Sequence, residues 1–216
     1  FNKNITDFSF SANVGSNLMN RRYEYVYGET DGGIAFPEFY NLKNSINPPV
    51  AYNKLTKKSI NSLFASGTVG YKSMLYLDLS VRNDWSSTLP KGNNSYLYPS
   101  VTGSFIFSEL LKEQLPWMNF GKVRLGFAQV GNDMDAYQLY NTYSIGSDPN
   151  GNTTAGQGKT KYDADVRSEL ITSWEAGAEL KFFNNRLGVD FAWYKTNAKR
   201  QLMNIPLNNL SGYDNM

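Results

Sequence analysis

Apolar and polar residues alternate with a period of two over about ten residues at a time, and the pattern recurs at least seven times. This feature restricts the chain most. A strand sends successive side chains to opposite faces, so each run is a strand with one apolar side. The first run, about Asn4 to Gly15, puts Phe8, Phe10, Ala12 and Val14 on one face. The second, about Ile60 to Tyr71, aligns Leu63, Ala65, Gly67, Val69 and Tyr71, and the third, about Met74 to Asp84, aligns Leu75, Leu77, Leu79 and Val81. A fourth, about Leu97 to Phe107, gives Val101, Gly103, Phe105 and Phe107, and a fifth, about Gly121 to Val130, gives Val123, Leu125 and Phe127. The sixth, about Thr172 to Phe182, shows Trp174, Ala176, Ala178, Leu180 and Phe182, and the seventh, about Leu187 to Lys195, shows Val189, Phe191 and Trp193.

The opposite faces hold eight charges: Asp78, Arg82, Lys122, Arg124, Glu175, Glu179, Lys181 and Asp190. The apolar faces are expected to carry none. A slip of one residue would exchange the two faces. Against lipid, each misplaced Lys or Arg would cost roughly 2–4 kcal/mol at mid-bilayer, and each acid less. Summed over the runs, that rivals a whole domain's stability of about 5–15 kcal/mol, so the register is strongly specified.

Composition removes several kinds of chemistry. The chain has no Cys and no His. Disulfides, thiolate and imidazole zinc sites, Ser-His and Cys-His nucleophile pairs and histidine acid–base catalysis are therefore excluded. A net charge of +2, from 21 basic and 19 acidic residues, gives no case for nucleic acid. Mean hydropathy is −0.47 and no apolar run reaches 18 residues, so a membrane-spanning helix is excluded. A membrane β-barrel is not, because its strands alternate and its loops are polar. The 15 Tyr and 13 Phe, with abundant Gly and Asn, favour strands and turns.

Alternation also fits a soluble sandwich, and three further features separate the two. The runs are close to the 9–11 residues of a tilted membrane strand and longer than the usual five or six. Connections alternate in length: Lys72-Ser73, Ser108 to Phe120 (with room for a helical turn at Glu109 to Gln114) and Phe183 to Arg186 lie at one end. The long segments, about 16–59, 85–96 and 131–171, all fall at the other, as in outer-membrane barrels. Aromatics gather near strand ends, at Tyr71, Tyr76, Phe107, Trp117, Phe120, Phe182 and Phe183, as interfacial girdles do. Seven strands cannot close such a barrel, and the chain is expected to be a segment of a larger one.

Particular stretches carry a resemblance. The run Val81-Arg82-Asn83-Asp84-Trp85-Ser86-Ser87 is followed by Tyr98-Pro99-Ser100-Val101 and Phe107-Ser108-Glu109. Then come Gly121-Lys122-Val123-Arg124-Leu125-Gly126, Val130-Gly131-Asn132, and the segment from Thr172 to Pro206, which is the most specific part. In order, phase and spacing they resemble the SusC/RagA family of TonB-dependent outer-membrane transporters of Bacteroidetes. The resemblance implies an all-β fold: an antiparallel transmembrane segment of about seven or eight strands from a 22-stranded barrel that encloses a plug domain. It implies a SusD-like surface lipoprotein as lid, an oligosaccharide or peptide as cargo, and drive from TonB acting through a plug that these residues do not include. Outer-membrane lipid and the rest of the barrel are the other expected partners. No enzymatic role follows.

The candidate residues follow from these faces. Leu75, Leu77, Leu79, Val81, Val123, Leu125, Phe127, Leu180, Val189, Phe191 and Trp193 are expected to face lipid. Asp78, Arg82, Arg124, Glu175, Glu179 and Asp190 are expected to face the lumen, where pairing between neighbouring strands is the simplest role. Tyr23, Tyr25 and Tyr27 suit sugar stacking or packing against a lid, or else are an aromatic strand extension. Trp85, just past a strand end, suits the same contacts, although interface anchoring is the commoner use. Lys54, Lys57 and Lys58 could meet lipid phosphates or be a solvated charge run. The acids Asp133, Asp135, Asp148, Asp163, Asp165 and Glu169 read as solvated loop residues. No cofactor is expected, and Asp148 to Asn152 misplaces the glycine of a calcium loop, so a structural Ca²⁺ in a surface loop has no support. The competing reading is a soluble exported β-sandwich that binds carbohydrate.

Overall fold

The computed structural model describes residues 1–216, the side chain of Asn209 excepted. Its strands are β1 (Asn2–Ile5), β2 (Phe8–Ile34), β3 (Ser45–Tyr71), β4 (Leu75–Ser86), β5 (Ser95–Ile106), β6 (Met118–Asn132), β7 (Tyr143–Ser147), β8 (Thr153–Gln157), β9 (Glu169–Phe182) and β10 (Leu187–Lys199). Eight form one sheet in the order β1-β2-β3-β4-β5-β6-β9-β10, and β7 and β8 form a separate hairpin. The expected antiparallel sheet is present, as an open meander. A helical turn, α1 (Ser108–Leu111), lies where one was expected between β5 and β6.

Two compact units divide the chain: one comprises Phe1–Leu18 with Ile60–Met216, the other Met19–Ser59. In the first, the short connections need a left-handed backbone. Lys72 and Ser73 have φ of 48° and 55°, and Phe183, Asn184 and Asn185 have φ of 53°, 57° and 64°. A tight hairpin with right-handed strand twist requires positive φ at its central residues, so side chains are tolerated there at some cost.

Three expectations are corrected. The first run is two strands: a turn at Thr6-Asp7, with φ 51° at Thr6, separates β1 from β2, so the main sheet has eight strands instead of seven. The segment 16–59 is mostly strand, since β2 runs to Ile34 and β3 starts at Ser45. Neither face of that ribbon is buried, so the alternation that marks a half-buried strand is absent from its sequence. The buried Asn44 side chain fixes the remaining loop, accepting from the Phe36 amide at 3.0 Å and donating to the Phe36 and Phe39 carbonyls at 2.8 and 2.7 Å. Segment 131–171 contains the β7–β8 hairpin, and 85–96 shrinks to the residues between Ser86 and Ser95.

Asp148 closes that hairpin. Its carboxylate accepts from the Asn150 amide (2.9 Å), the Asn152 amide (2.8 Å) and the Asn152 side chain (2.9 Å). Donation by the Asn152 side chain, then by the Asn152 amide, lowers its pKa below the usual 3.8. A lowered carboxyl pKa contributes stability above the unfolded value and loses it as pH falls through the folded one. Hydrogen-exchange protection at Asn150 and Asn152, taken relative to the free amide, is therefore expected to fall only below about pH 4, and Asp148→Ala should remove it at every pH. Unchanged protection in that variant would remove Asp148 as the closure.

The sheet is a single layer. Among the described residues the buried apolar side chains are only Leu89, Met118 and Met134, whereas Leu125 is 66% and Phe191 63% exposed. A soluble sandwich would bury such a face against a second sheet. No second sheet packs here among the described residues, and the sandwich reading is overturned.

Candidate functional site

Pairing register decides which residues share a face. One cross-strand row joins Gly67, Leu79, Val101, Phe127, Trp174 and Lys195. The next joins Val69, Leu77, Gly103, Leu125, Ala176 and Trp193, and the one below joins Tyr71, Leu75, Phe105, Val123, Ala178 and Phe191. Leu180 pairs with Val189, and Val81 with Ala65 and Pro99. All eleven residues assigned to lipid thus lie on one continuous face.

That face has aromatic margins. Near the short turns Phe8 packs on Tyr71 (ring centroids 4.8 Å apart), and Trp117 packs on Phe182 (5.5 Å) and Phe183 (6.5 Å). Tyr76 departs from this pattern, because it pairs with Gly70 and Ser104 on the polar face. Trp85 belongs to β4 and not to a loop, and it shares the face of Val81, two strand repeats further along. From Leu75 to Trp85 is ten steps. At ~3.3 Å each and a tilt of about 40°, that spans roughly 25 Å, the height of a barrel's apolar band. Trp85 therefore lies at the far end of the apolar face, on a strand and not in a surface loop.

The polar face carries the candidate lumen residues, which pair along the wall. Asp78 accepts from Thr68 at 2.6 Å. Arg124 donates to Glu175 on β9 at 3.1 Å and to Asp190 on β10 at 3.4 Å. It reaches both because its partner in register is Gly177, where a β-carbon would lie 2.6 Å from the Arg124 Nε. Glu179 pairs with Lys181 at 3.0 Å. These are exposed contacts, screened by water and weak for that reason.

Towards the long-loop end of this face lies a buried polar network that sequence reasoning missed as a unit. Asp84 is 6% exposed. It accepts from the Arg82 Nε at 2.8 Å and from the Tyr98 hydroxyl, while the Arg82 Nη2 donates to Ser62 at 2.9 Å. Beyond it, the Ser86 hydroxyl donates to Asp133 at 2.5 Å and Thr88 donates to the same oxygen at 3.1 Å. Ser86 and Thr88 are 1% and 3% exposed, so Asp133 ties the β4–β5 connection to the segment after β6. Arg82, Asp84 and Tyr98 alternate in their strands, which is the available signal; Asp133 is 45 residues or more from its partners and gives none. Phe64, Ser66, Ser80, Arg82, Tyr98 and Val130 line a groove of about 370 Å³ beside the network.

In the Met19–Ser59 unit, Tyr23, Tyr25 and Tyr27 lie in β2, so they are a strand extension and not loop residues. Tyr52 of β3 completes the group: Tyr23–Tyr25 centroids are 5.7 Å apart, Tyr25–Tyr52 6.2 Å and Tyr27–Tyr52 5.0 Å. Tyr23, Tyr27 and Tyr52 are exposed. The Tyr27 hydroxyl donates to Glu29 at 2.5 Å, which raises its pKa above 10.

A single-layer antiparallel sheet with one lipid-compatible face, one polar face and short turns at one end has the build of a transmembrane β-barrel wall. Comparison with known proteins agrees. The family model described as "TonB dependent receptor-like, beta-barrel" matches residues 1–215, and the chain belongs to that family. The family is one of outer-membrane receptors and transporters, not enzymes, and the SusC/RagA resemblance holds. TonB-dependent receptor P39 of Formosa agariphila is 24% identical over 223 residues, covering 100% of this chain and 21% of that protein. The chain thus spans about a fifth of the length of the curated relative it matches. In fold it is similar to the "RagAB peptide transporter" structure, with a TM-score of 0.88 at 19% identity over 100% of this chain and 24% of that one. The RagAB peptide importer in its "closed-closed" state gives 0.89 with the same coverage, and in its "open-open" state 0.80 over 98% and 23%.

Proposed function

We propose that this chain forms part of the barrel wall of an outer-membrane importer, through which oligosaccharide or peptide enters with a SusD-like lipoprotein as lid and TonB as the source of drive. The observation that carries the reading is the predominantly apolar face in register across β3, β4, β5, β6, β9 and β10, backed by a polar face. The wall makes and breaks no bonds. It holds the membrane seal on one side and a wetted passage on the other. Tyr23, Tyr25 and Tyr27, with Tyr52, touch cargo or lid: their rings offer flat apolar contact at low entropic cost, and their hydroxyls offer hydrogen bonds.

The test is made in the intact receptor. Tyr23→Ser, Tyr25→Ser and Tyr27→Ser together should leave barrel assembly unchanged and weaken lid co-purification or cargo-limited growth roughly tenfold, the effect of losing about 1.4 kcal/mol of contact. Growth on the cargo should also disappear in a TonB-deficient strain. Full growth without TonB would refute the importer reading, and normal lid retention and growth in the triple variant would refute only the tyrosine assignment.

A further inference from the structure

Two of the short turns are joined at the base of the apolar face. The Lys72 amide, in the β3–β4 turn, donates to the Asp7 carbonyl, in the β1–β2 turn, at 2.8 Å. That bond sets the two side chains next to each other. The Lys72 Nζ lies 3.6 Å from the Asp7 carboxylate, and both side chains are about half exposed. At such a distance the charges attract but make no hydrogen bond. At the same end of the sheet Glu109 and Lys112 are closed on each other at 2.6 Å, so the open pair is a local arrangement and not the rule for these turns. A partly exposed ion pair contributes little to the fold, and exchanging its partners costs correspondingly little.

Beside this pair lies a groove of about 450 Å³ on the apolar face. Phe8 of β2 lines one side, Leu75 and Leu77 of β4 the other, and Val69 and Tyr71 of β3 lie between them. Among the described residues Asp7 is the one charged residue that lines it. Tyr71 and Leu75 pair in the last apolar row before the turn, so Asp7 and Lys72 stand where hydrocarbon gives way to headgroups. Tyr71 marks the same boundary, with the Lys72 Nζ 5.4 Å from the centre of its ring. A carboxylate at the mouth of an apolar groove repels the phosphate of a purely anionic lipid and attracts a cation. The ammonium beside it attracts an anion. A headgroup that carries both a phosphate and a primary ammonium satisfies the two at once, through charge-assisted hydrogen bonds that the protein pair does not make with itself.

We propose that Asp7 and Lys72 clamp the headgroup of a zwitterionic aminophospholipid, its ammonium on the carboxylate and its phosphate on the lysine, with an acyl chain in the groove. This rests on the reading of the chain as membrane wall. The test uses the intact receptor in detergent, incubated with phosphatidylethanolamine, phosphatidylglycerol of the same acyl chains or free phosphoethanolamine, with bound molecules counted by native mass spectrometry. Phosphatidylethanolamine should be retained about fivefold over phosphatidylglycerol, the scale of one charge contact at a membrane surface. Asp7→Asn should erase that preference, and Asp7→Glu should keep it. Lys72→Gln should lower retention of both lipids, and Lys72→Arg should not. Equal retention of the two lipids by the wild type, or an unchanged preference in Asp7→Asn, overturns the proposal. Saturation by free phosphoethanolamine at the concentration that saturates the lipid overturns the role of the groove and leaves a site for the headgroup alone. Flotation with vesicles after alkaline washing is run alongside: a receptor that fails to float refutes the membrane reading, whereas one that floats and shows no lipid preference refutes this site alone.

Discussion

Leu125→Arg is expected to destabilise the membrane-inserted receptor by about 2–4 kcal/mol, the cost of a basic side chain facing lipid at the bilayer midplane. Leu125 is the central residue of β6 (Met118–Asn132), with equal lengths of strand on either side. It is 66% exposed on the apolar face, and its partners in register are Gly103 and Ala176. Such small neighbours give an arginine stem little to lie against, and the headgroups are distant in both directions. Leu79→Arg in β4 should act in the same sense and less strongly, because Leu79 lies nearer the short-turn end. The control is one residue away. Gly126 faces the polar side, where a β-carbon would meet Glu175 and Thr102 at an ordinary 3.7 Å, and Gly126→Arg brings its charge towards a carboxylate. It should cost less than about 1 kcal/mol, in the range of exposed substitutions. Denaturant unfolding from lipid vesicles, read by the shift in midpoint, measures all three. Equal penalties at Leu125 and Gly126 would cancel the assignment of faces.

The second large effect is expected at Asp84. Asp84→Ala leaves the Arg82 guanidinium and the Tyr98 hydroxyl without the carboxylate that joins them. Breaking a buried pair from one side costs about 3–5 kcal/mol where the survivor stays dry. The Arg82 side chain is 36% exposed and can turn to lumen water, so about 2–3 kcal/mol is expected here. The double variant Asp84→Ala/Arg82→Ala should recover part of that loss, because no charge is then stranded. If the double variant is as unstable as the sum of the singles, the pair carries no coupling and the network is packing alone.

Strand identity and facing were legible wherever a face meets lipid, because only there does burial impose alternation on the sequence. The eleven positions assigned to lipid share one face in register, and Lys195, the last residue of the seventh run, has the parity of Trp193 although it was left off that apolar face. Beyond the apolar band that pressure lapses. The β2–β3 ribbon past Leu18 is paired backbone with polar residues on both sides, and so it read as a loop. The turn at Thr6-Asp7 was missed although Ile5 is out of phase with Phe8 and Phe10, because it has neither Gly nor Pro to mark it. The charges of the polar face were named one at a time, and pairing between strands, as of Arg124 with Glu175 and Asp190, was expected of them. The Asp84 and Asp133 networks depend on loops returning to the wall, which no periodicity records.

The β6–β9 pairing also bears on how proteins of this type diversify. These strands are neighbours in the sheet although residues 133–168 intervene, and their ladder is specified by their own side chains from Phe120↔Lys181 to Asn132↔Glu169. Doubling the length of the part of this connection outside the β7–β8 hairpin costs only about 0.6 kcal/mol in closure entropy. One residue inserted within β6 would turn its remaining side chains to the wrong side. Insertions and deletions that reshape what the outer end recognises are therefore nearly neutral for stability, while the same events a few residues away are lethal to the barrel. Length change in this connection thus leaves the pairing of the wall intact.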